Sequence, residues 1–173
     1  MSNAVPTIET KRLILRAHES DDFASSVAMW AHPITVRFIQ GQPSTENRTW
    51  FRMLAYRGLW DLLGYGYWAI TEKSTLKFVG DAGLADFCRE IEPSIRGIPE
   101  VGWALAPEFH GQGYATEAVQ AVLDWADKRF ERTVCLIGNE NAASLRVAEK
   151  LGFKEFKRTT HFNLPTVMLE RLR

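Results

Sequence analysis

The apolar residues of the first third of the chain recur with two different periods. Alternation between residues 11 and 17 predicts a strand that buries Leu13 and Leu15. Helical spacing follows, and it predicts a short helix that begins at residues 20–22 and buries one face, formed by Phe23, Val27 and Trp30. A second helix is predicted from residue 44 or 45 to Gly58.

A period of two begins at residue 66 and predicts three successive strands, at residues 67–71, 78–87 and 101–106. The longest amphipathic stripe comes next and predicts a helix from Tyr114 to Phe130. The remaining pattern predicts a strand, a helix that stops at Gly152 and two last strands, over residues 133–137, 141–151, 153–160 and 166–172. The predicted order is β-α-α-β-β-β-α-β-α-β-β. It indicates an α/β (α+β) fold with a mixed sheet.

The composition is that of one globular domain. The chain has 173 residues, of which 46% are hydrophobic, and its 21 basic residues balance 21 acidic ones. Nucleic-acid binders usually have a basic excess, so no nucleic-acid partner is expected. No apolar run approaches the roughly 20 residues of a membrane helix, and residues 1–9 lack the pattern of a secretion signal. We therefore expect a soluble, cytoplasmic protein with a tail at residues 1–9, in which Ser2-Asn3-Ala4 has the form of a cloning remnant.

Cysteine and histidine residues give no sign of a metal or disulfide site. Cys88 and Cys135 are far apart in the sequence and are expected to be small buried side chains. The histidines show no metal-ligand spacing; they are His18, His32, His110 and His161. No metal is expected.

The segment from Val101 to Ala118 carries the strongest chemical signal. It predicts a strand, a short loop with Gly111 and Gly113, and the start of the long helix. The first N–H groups of a helix bind phosphate without a basic side chain, and glycines allow a close approach to the main chain. A P-loop needs Gly-Lys-Ser/Thr, which is absent, and a dinucleotide fingerprint needs a third glycine where Thr116 stands. A coenzyme A pyrophosphate loop and a loop that binds nothing both stay open.

Three blocks of sequence extend this signal over nearly the whole chain. They are residues 100–107 (EVGWALAP), 111–118 (GQGYATEA) and 139–153 (NENAASLRVAEKLGF). Together with residues 12–17 they resemble the GNAT superfamily of acetyl-CoA-dependent N-acetyltransferases, and most closely its ribosomal-protein N-terminal acetyltransferase branch. The resemblance implies a central, splayed, mostly antiparallel sheet flanked by helices, acetyl-CoA as cosubstrate, and a single acetyltransferase domain at residues 10–173.

The resemblance also implies which residues contact the coenzyme. The pantetheine arm would pair with the main chain of Trp103, Ala104 and Leu105. The pyrophosphate would lie on the N–H groups of the loop and first helical turn, formed by Gly111, Gln112, Gly113, Tyr114, Ala115 and Thr116. Asn141 and Ser144 match positions that contact the coenzyme or its ordered waters. The family has Arg or Gln where His110 stands, which affects a side-chain contact but not the main-chain cradle.

The acceptor amine has to be neutral when it reacts. An α-amino group with a pKa of about 7.7–8.0 is roughly one-tenth neutral at pH 7, whereas a lysine is neutral in fewer than about one molecule per thousand, so a general base helps the first and is nearly necessary for the second. Glu100 matches a glutamate that acts as base in some relatives, directly or through water; its other interpretation is a solvated carboxylate. Ala148 stands where many relatives have a tyrosine that acts as the general acid. Either Ser144 would then protonate the leaving thiolate, or the thiolate would leave without assistance.

These features predict direct acetyl transfer to a primary amine, either a protein N-terminal α-amino group or a small-molecule amine. Ala148 favours the alternative, a non-catalytic acyl-CoA-binding sensor module. The sequence does not specify the acceptor, and a homodimer stays open. It also leaves open whether the tryptophans of the early helices line the acceptor pocket or pack in the core; they are Trp30, Trp50 and Trp60.

Overall fold

The fold is built on one open sheet of eight strands. The computed structural model describes residues 4–39 and 41–173. Its strands are β1 (Ile8–Glu9), β2 (Leu13–Arg16), β3 (Tyr67–Glu72), β4 (Phe78–Ala85), β5 (Glu100–Leu105), β6 (Arg132–Gly138), β7 (Lys154–His161) and β8 (Leu164–Leu172). They lie in the order β1-β2-β3-β4-β5-β6-β8-β7, and all neighbours are antiparallel except β5 and β6.

Five α-helices flank the sheet. They are α1 (Phe23–Ala31), α2 (Pro33–Val36), α3 (Glu46–Leu63), α4 (Tyr114–Ala126) and α5 (Ala142–Lys150). Short 3-10 turns precede α1 at Ser20–Asp22 and follow β5 at Pro107–Phe109. Among the described residues, none of the helices combines the length and apolar character that a membrane crossing requires.

The predicted fold class and element order are confirmed, with two additions. Within the residues predicted as a tail, Ile8 and Glu9 pair with β2 as the edge strand β1. Pro33 follows the end of α1 and occupies the first turn of the unpredicted α2, where its missing N–H costs nothing. Ser2 and Asn3 lie outside the described residues.

The second predicted helix is longer than the sequence suggested. α3 begins after the Thr45 cap, passes through Gly58 and ends only at Gly64, which adopts φ 74°. Trp60 explains the extension, because its side chain is 2% exposed and packs edge-on against two other core tryptophans, Trp68 and Trp125. Burial of one large aromatic side chain outweighs the roughly 1 kcal/mol cost of a mid-helix glycine.

The buried face of α1 also differs from the prediction. Its buried residues are Ser26, Met29 and Trp30, whereas Phe23 is half-buried and packs edge-on against Trp50 on α3. The predicted stripe of α4 is confirmed, since Ala118, Val119, Val122 and Ala126 have no exposed surface. The helix itself stops at Ala126, four residues before the predicted end.

β5 and β6 are parallel neighbours that meet at one end only. Glu100 pairs with Val134, and the Val134 N–H donates to the Pro99 carbonyl at 3.1 Å. No second residue pair joins these two strands within the described ranges. Parallel strands have their carboxyl ends on the same edge of the sheet, so the loops that lead into α4 and α5 lie together at the open end of the gap. The splayed sheet expected from the sequence is therefore present.

Candidate active site

Beyond Glu100, the β5 edge of the gap presents main-chain groups that pair with no described residue of β6. On the opposite side of β5, which faces β4, the Ala106 N–H donates to the Val79 carbonyl at 2.9 Å, and the Ala104 carbonyl lies against Gly80. Because main-chain groups alternate along a strand, those of Trp103 and Leu105 turn toward the gap instead. The Leu105 carbonyl lies 2.9 Å from Nε2 of His110. Ala104 thus lines the gap but uses its main chain to pair with β4.

A cavity of about 450 Å³, here called the loop cavity, opens from the gap toward the start of α4. All the coenzyme contacts expected from the sequence line it except Gln112. The Gln112 side chain turns away and donates to the Glu108 carbonyl at 2.7 Å.

The amino end of α4 is open toward the loop cavity. Gly113 is the cap residue with φ 80°, and no side chain in the described part of the chain caps the first turn. Gly111 has φ 74°, and both glycines adopt backbone conformations that other residues rarely take. The N–H groups of this turn therefore remain available to an anion.

The ion pair of Arg12 with Glu117 holds the loop to the early part of the chain. The Arg12 guanidinium donates to Glu117 at 2.7 Å and to the Gln112 carbonyl at 2.9 Å, and it lies 4.1 Å from the centre of the Tyr114 ring. The Tyr114 hydroxyl donates to Glu72 on β3. These contacts tie the loop to the first strands of the sheet.

α5 closes the other side of the loop cavity. The Asn141 side chain caps the helix by accepting the Ser144 N–H at 3.1 Å. Asn141 and Ser144 line both the loop cavity and a second cavity described below. Ala148 has no exposed surface. Two basic residues that the sequence reasoning did not single out, Arg146 and Lys150, also line the loop cavity and add positive charge there.

A second cavity of about 520 Å³ lies across the gap and is here called the Glu100 cavity. It shares six lining residues with the loop cavity, so the two spaces meet at the splayed strands. Its wall includes several aromatic side chains, among them Trp30, Phe51, Tyr56, Tyr67, Phe87 and Phe162. A space of this size and lining is typical of a small-molecule site.

Glu100 lies in this cavity and is ion-paired. Its two carboxylate oxygens accept hydrogen bonds from Arg89 at 2.5 and 2.7 Å, and its side chain is only 7% exposed. Another Arg89 nitrogen lies 2.7 Å from Nε2 of His161 on β7. Burial and the Arg89 charge both lower the pKa of His161, which favours the neutral imidazole. Within residues 4–39 and 41–173 no three His, Cys, Asp or Glu side chains are grouped as metal ligands would be.

A pair of tyrosines forms the floor beside Glu100. The rings of Tyr56 and Tyr67 stack with centres 4.2 Å apart. Burial raises the pKa of both hydroxyls, so both stay protonated at neutral pH. A Cβ added to Gly102 would lie 2.0 Å from the Tyr67 hydroxyl oxygen, so this close contact requires glycine.

The structure separates the three early tryptophans. Trp30 lines the Glu100 cavity, Trp60 belongs to the core, and Trp50 is 41% exposed. Cys135 is buried as expected, but the same expectation is wrong for Cys88, which is exposed on the loop after β4 because its positive φ of 49° turns the chain there. That loop also supplies Arg89, whose partnership with Glu100 has no local sequence signal.

Comparisons with known proteins agree with this geometry. Residues 12–154 match the family described as acetyltransferase (GNAT) domain. The chain is 30% identical to the uncharacterised protein YkkB of Bacillus subtilis (strain 168), over 98% of this chain and 97% of that protein. A GnaT-family acetyltransferase of Bordetella pertussis has 30% identity and a TM-score of 0.84, covering 96% of this chain and 99% of the other.

The fold also occurs in an acetyltransferase of ribosomal proteins. RimL, the ribosomal L7/L12 α-N-protein acetyltransferase, solved in complex with coenzyme A, has a TM-score of 0.76 at 19% identity, covering 96% of this chain and 98% of RimL. At this identity the likeness concerns the fold alone. The family match spans most of the chain, and the splayed strands and uncapped helix start lie within it. The chain therefore belongs to the GNAT family of acetyltransferases.

Proposed function

We propose that this protein transfers an acetyl group from acetyl-CoA directly to a primary amine, either a protein N-terminal α-amino group or a small-molecule amine. The observation that carries the proposal is the gap between β5 and β6, which joins the uncapped start of α4 to the cavity that contains Glu100. RimL, which has this fold, was solved with coenzyme A. The gap thus connects a place for a diphosphate with a place for an amine.

The residues of the loop cavity fit the coenzyme. The N–H groups at the start of α4 would hold the pyrophosphate, and the positive charges of Arg146 and Lys150 favour its other phosphate. The gap-facing main chain of Trp103 and Leu105 would pair with the amides of the pantetheine arm, and Ala104 would line the arm's path. The bound coenzyme supplies an activated acetyl thioester.

Glu100 is the proposed general base. Reaction forms a C–N bond and breaks a C–S bond, so the amine loses one proton and the leaving sulfur gains one. Each carboxylate oxygen retains a lone pair beside the one that Arg89 engages, so Glu100 can still accept the amine proton directly or through a water. Arg89 also holds the carboxylate in one orientation beside the gap.

Ser144 is the proposed proton donor to the sulfur, or otherwise a coenzyme contact, because it lies where the two cavities meet. A thiol pKa of about 8.5 also permits departure as the thiolate. One observation favours a second function, a sensor that binds acyl-CoA without turnover: Ala148 is fully buried, so no acid reaches the sulfur from that position.

The first experiment tests the coenzyme site. Gly113→Val places a β-branched side chain at φ +80° beside the loop, and we expect the acetyl-CoA dissociation constant to rise by about tenfold or more. Gly97→Val is the matched control, because Gly97 has φ +78° with open space around it and does not line the loop cavity. Equal affinities in calorimetry for the two variants would remove the loop from the proposal.

The second experiment tests turnover and the base. We expect coenzyme release with a panel of amines and N-terminal peptides; tight acetyl-CoA binding without release for any acceptor would establish the sensor instead. Glu100→Gln should lower turnover and alter the pH–rate profile while leaving acetyl-CoA affinity nearly unchanged. Glu90→Gln, an exposed change one residue from Arg89, is the control. An unchanged pH–rate profile in Glu100→Gln would exclude Glu100 as the base.

A further inference from the structure

Besides Arg89, the Glu100 cavity is lined by Arg48 and Arg52, which the proposed reaction does not use. Arg52 on α3 lines this cavity, and its guanidinium carbon lies 3.8 Å from the centre of the Trp30 ring. Its Nη1 donates to Ser44 Oγ at 3.4 Å, a long contact. Among the described residues, no carboxylate oxygen lies within the 4.0 Å of an ion pair with Arg52. Within the described residues the Arg52 charge therefore has no acidic ion-pair partner, and its contact is an aromatic ring.

A buried network fixes the surface on which Arg52 lies. The Trp30 indole N–H donates to Asp81 Oδ2 at 3.0 Å, and Asp81 Oδ1 lies 2.8 Å from Nε2 of His18. Asp81 is 1% exposed, and both its oxygens are engaged by these two rings. The indole is thus held at its N–H edge, and one face of the ring positions the guanidinium through a cation–π contact.

Arg52 and Glu100 lie toward opposite ends of the stacked tyrosine pair. Arg52 lies one helical turn before Tyr56 on α3. The Tyr67 ring instead neighbours Phe87, with ring centres 6.3 Å apart, and the Arg89 that pairs with Glu100 lies 4.8 Å from the centre of the Phe87 ring. Arg89 at the Glu100 end is already neutralised by its bidentate pair. The cavity thus runs from a proton acceptor, over an aromatic floor, to an unbalanced cation.

We infer that Arg52 selects a small acceptor amine that also carries a carboxylate on an aromatic or apolar body. This inference rests on the proposed acetyl transfer. The amine faces Glu100 and the gap, the body lies on the tyrosines, and the carboxylate pairs with Arg52. A planar guanidinium held against an aromatic ring suits a carboxylate, with which it forms paired charge-assisted hydrogen bonds.

The test compares acceptors that differ in one carboxylate. 4-(2-Aminoethyl)benzoate and phenethylamine have the same amine and ring, and we expect kcat/KM to be at least about tenfold higher for the carboxylate. Arg52→Met should abolish this preference by raising KM for the benzoate alone, and Arg52→Lys should restore part of it. Arg57→Met, an exposed change on the same helix, should retain the full preference. The acetyl-CoA affinity and the melting temperature of each variant are measured as well, and only variants that match the parent in both are compared.

Three results would overturn the inference. They are equal kcat/KM values for the two amines, a preference that survives Arg52→Met, and a higher kcat/KM for peptides with an acidic second residue than for the benzoate, since that would indicate a protein N-terminus. If no amine is acetylated, the proposed function fails separately. Calorimetry with 4-(2-aminoethyl)benzoate on the CoA-saturated protein then decides: binding lost only in Arg52→Met supports the inference, and binding that is absent or unaffected contradicts it.

Discussion

Replacing Glu117 should weaken both the fold and the proposed coenzyme site. This carboxylate binds Thr10 and Arg12, and the Arg12 guanidinium in turn binds the Gln112 carbonyl of the glycine loop. The carboxylate accepts three hydrogen bonds: from the Thr10 hydroxyl at 2.6 Å, from the Arg12 N–H at 2.8 Å and from the Arg12 guanidinium at 2.7 Å. The Glu117 side chain is 18% exposed and that of Arg12 is 38% exposed. Solvent therefore screens the ion pair more than the two other contacts.

The magnitude follows from these exposures. The screened ion pair contributes about 0.5 kcal/mol. The hydroxyl and main-chain N–H contacts, both to a charged acceptor that is mostly buried, contribute about 1 kcal/mol each, below the range for full burial. Glu117→Ala should thus lower the free energy of unfolding by about 2–3 kcal/mol, and Glu117→Gln by about half as much. The loosened Arg12 no longer holds the Gln112 carbonyl, so acetyl-CoA affinity should fall by about three- to tenfold.

The dependence on pH provides a second check. Burial raises the pKa of Glu117, but the hydrogen bonds from Thr10 and Arg12 outweigh it, so the pKa is lowered overall. A lowered folded-state pKa gives stability that is complete above the unfolded value of about 4.3 and is lost as the pH falls through the folded value. The difference between Glu117→Gln and the parent should be full at pH 7 and should shrink below about pH 4.

Urea unfolding followed by tryptophan fluorescence at both pH values, with calorimetric acetyl-CoA titration, measures these effects. Glu149→Gln is the control, because Glu149 is exposed on α5. A Glu117→Ala variant as stable as this control would refute the reasoning. So would a variant that is destabilised but binds acetyl-CoA with the parent's affinity, because the Glu117–Arg12 pair would then not support the glycine loop.

Three further changes test the scaffold by urea unfolding. Asp22→Asn should lower the free energy of unfolding by about 2 kcal/mol at pH 7, since Asp22 is buried against Arg16. Burial raises the pKa of Asp22, but the Arg16 hydrogen bond and the other contacts outweigh it and lower the pKa overall. The cost of the substitution should therefore vanish at low pH, where Asp22 is protonated. Gly58→Ala should raise stability by about 0.5–1 kcal/mol, because the helical position has open space for a methyl group. Gly80→Ala should cost about 3 kcal/mol or more, because its Cβ would lie 2.2 Å from the Ala104 carbonyl oxygen.

The sequence was most informative where local pattern and local function coincide. The strand, glycine loop and helix over residues 101–118 follow one another directly, so periodicity located the elements and the glycines located the loop with positive φ and the uncapped helix start. Gly152 likewise ended α5 as expected, with φ 84°. At these points the backbone conformation depends on residues next to one another in the chain.

The sequence was least informative where a partner comes from a distant segment. Arg89 pairs with Glu100 across a loop that contains no periodic pattern. Glu117 lies off the apolar stripe of α4, as an exposed residue would, yet its partners are Thr10 and Arg12, more than 100 residues earlier. Only the folded sheet brings such groups together, so the pattern of apolar and polar residues in the sequence does not indicate these pairs.

β4, the antiparallel neighbour that β5 has on the side away from the gap, contains a bulge. The register between β3 and β4 shifts where Ile70 faces Gly80 and Thr71 faces Phe78, which leaves Val79 as an extra residue in β4. Such a bulge bends a strand and increases its twist. The Val79 carbonyl accepts the Ala106 N–H beside this bulge, at the end of β5 where the gap is open. β5 stays paired with β4 from Glu100 to Leu105 but, among the described residues, with β6 only at Glu100, so the gap opens on one side of a strand that is held in place on its other side. The open edge is therefore a feature of the sheet geometry rather than of poor packing.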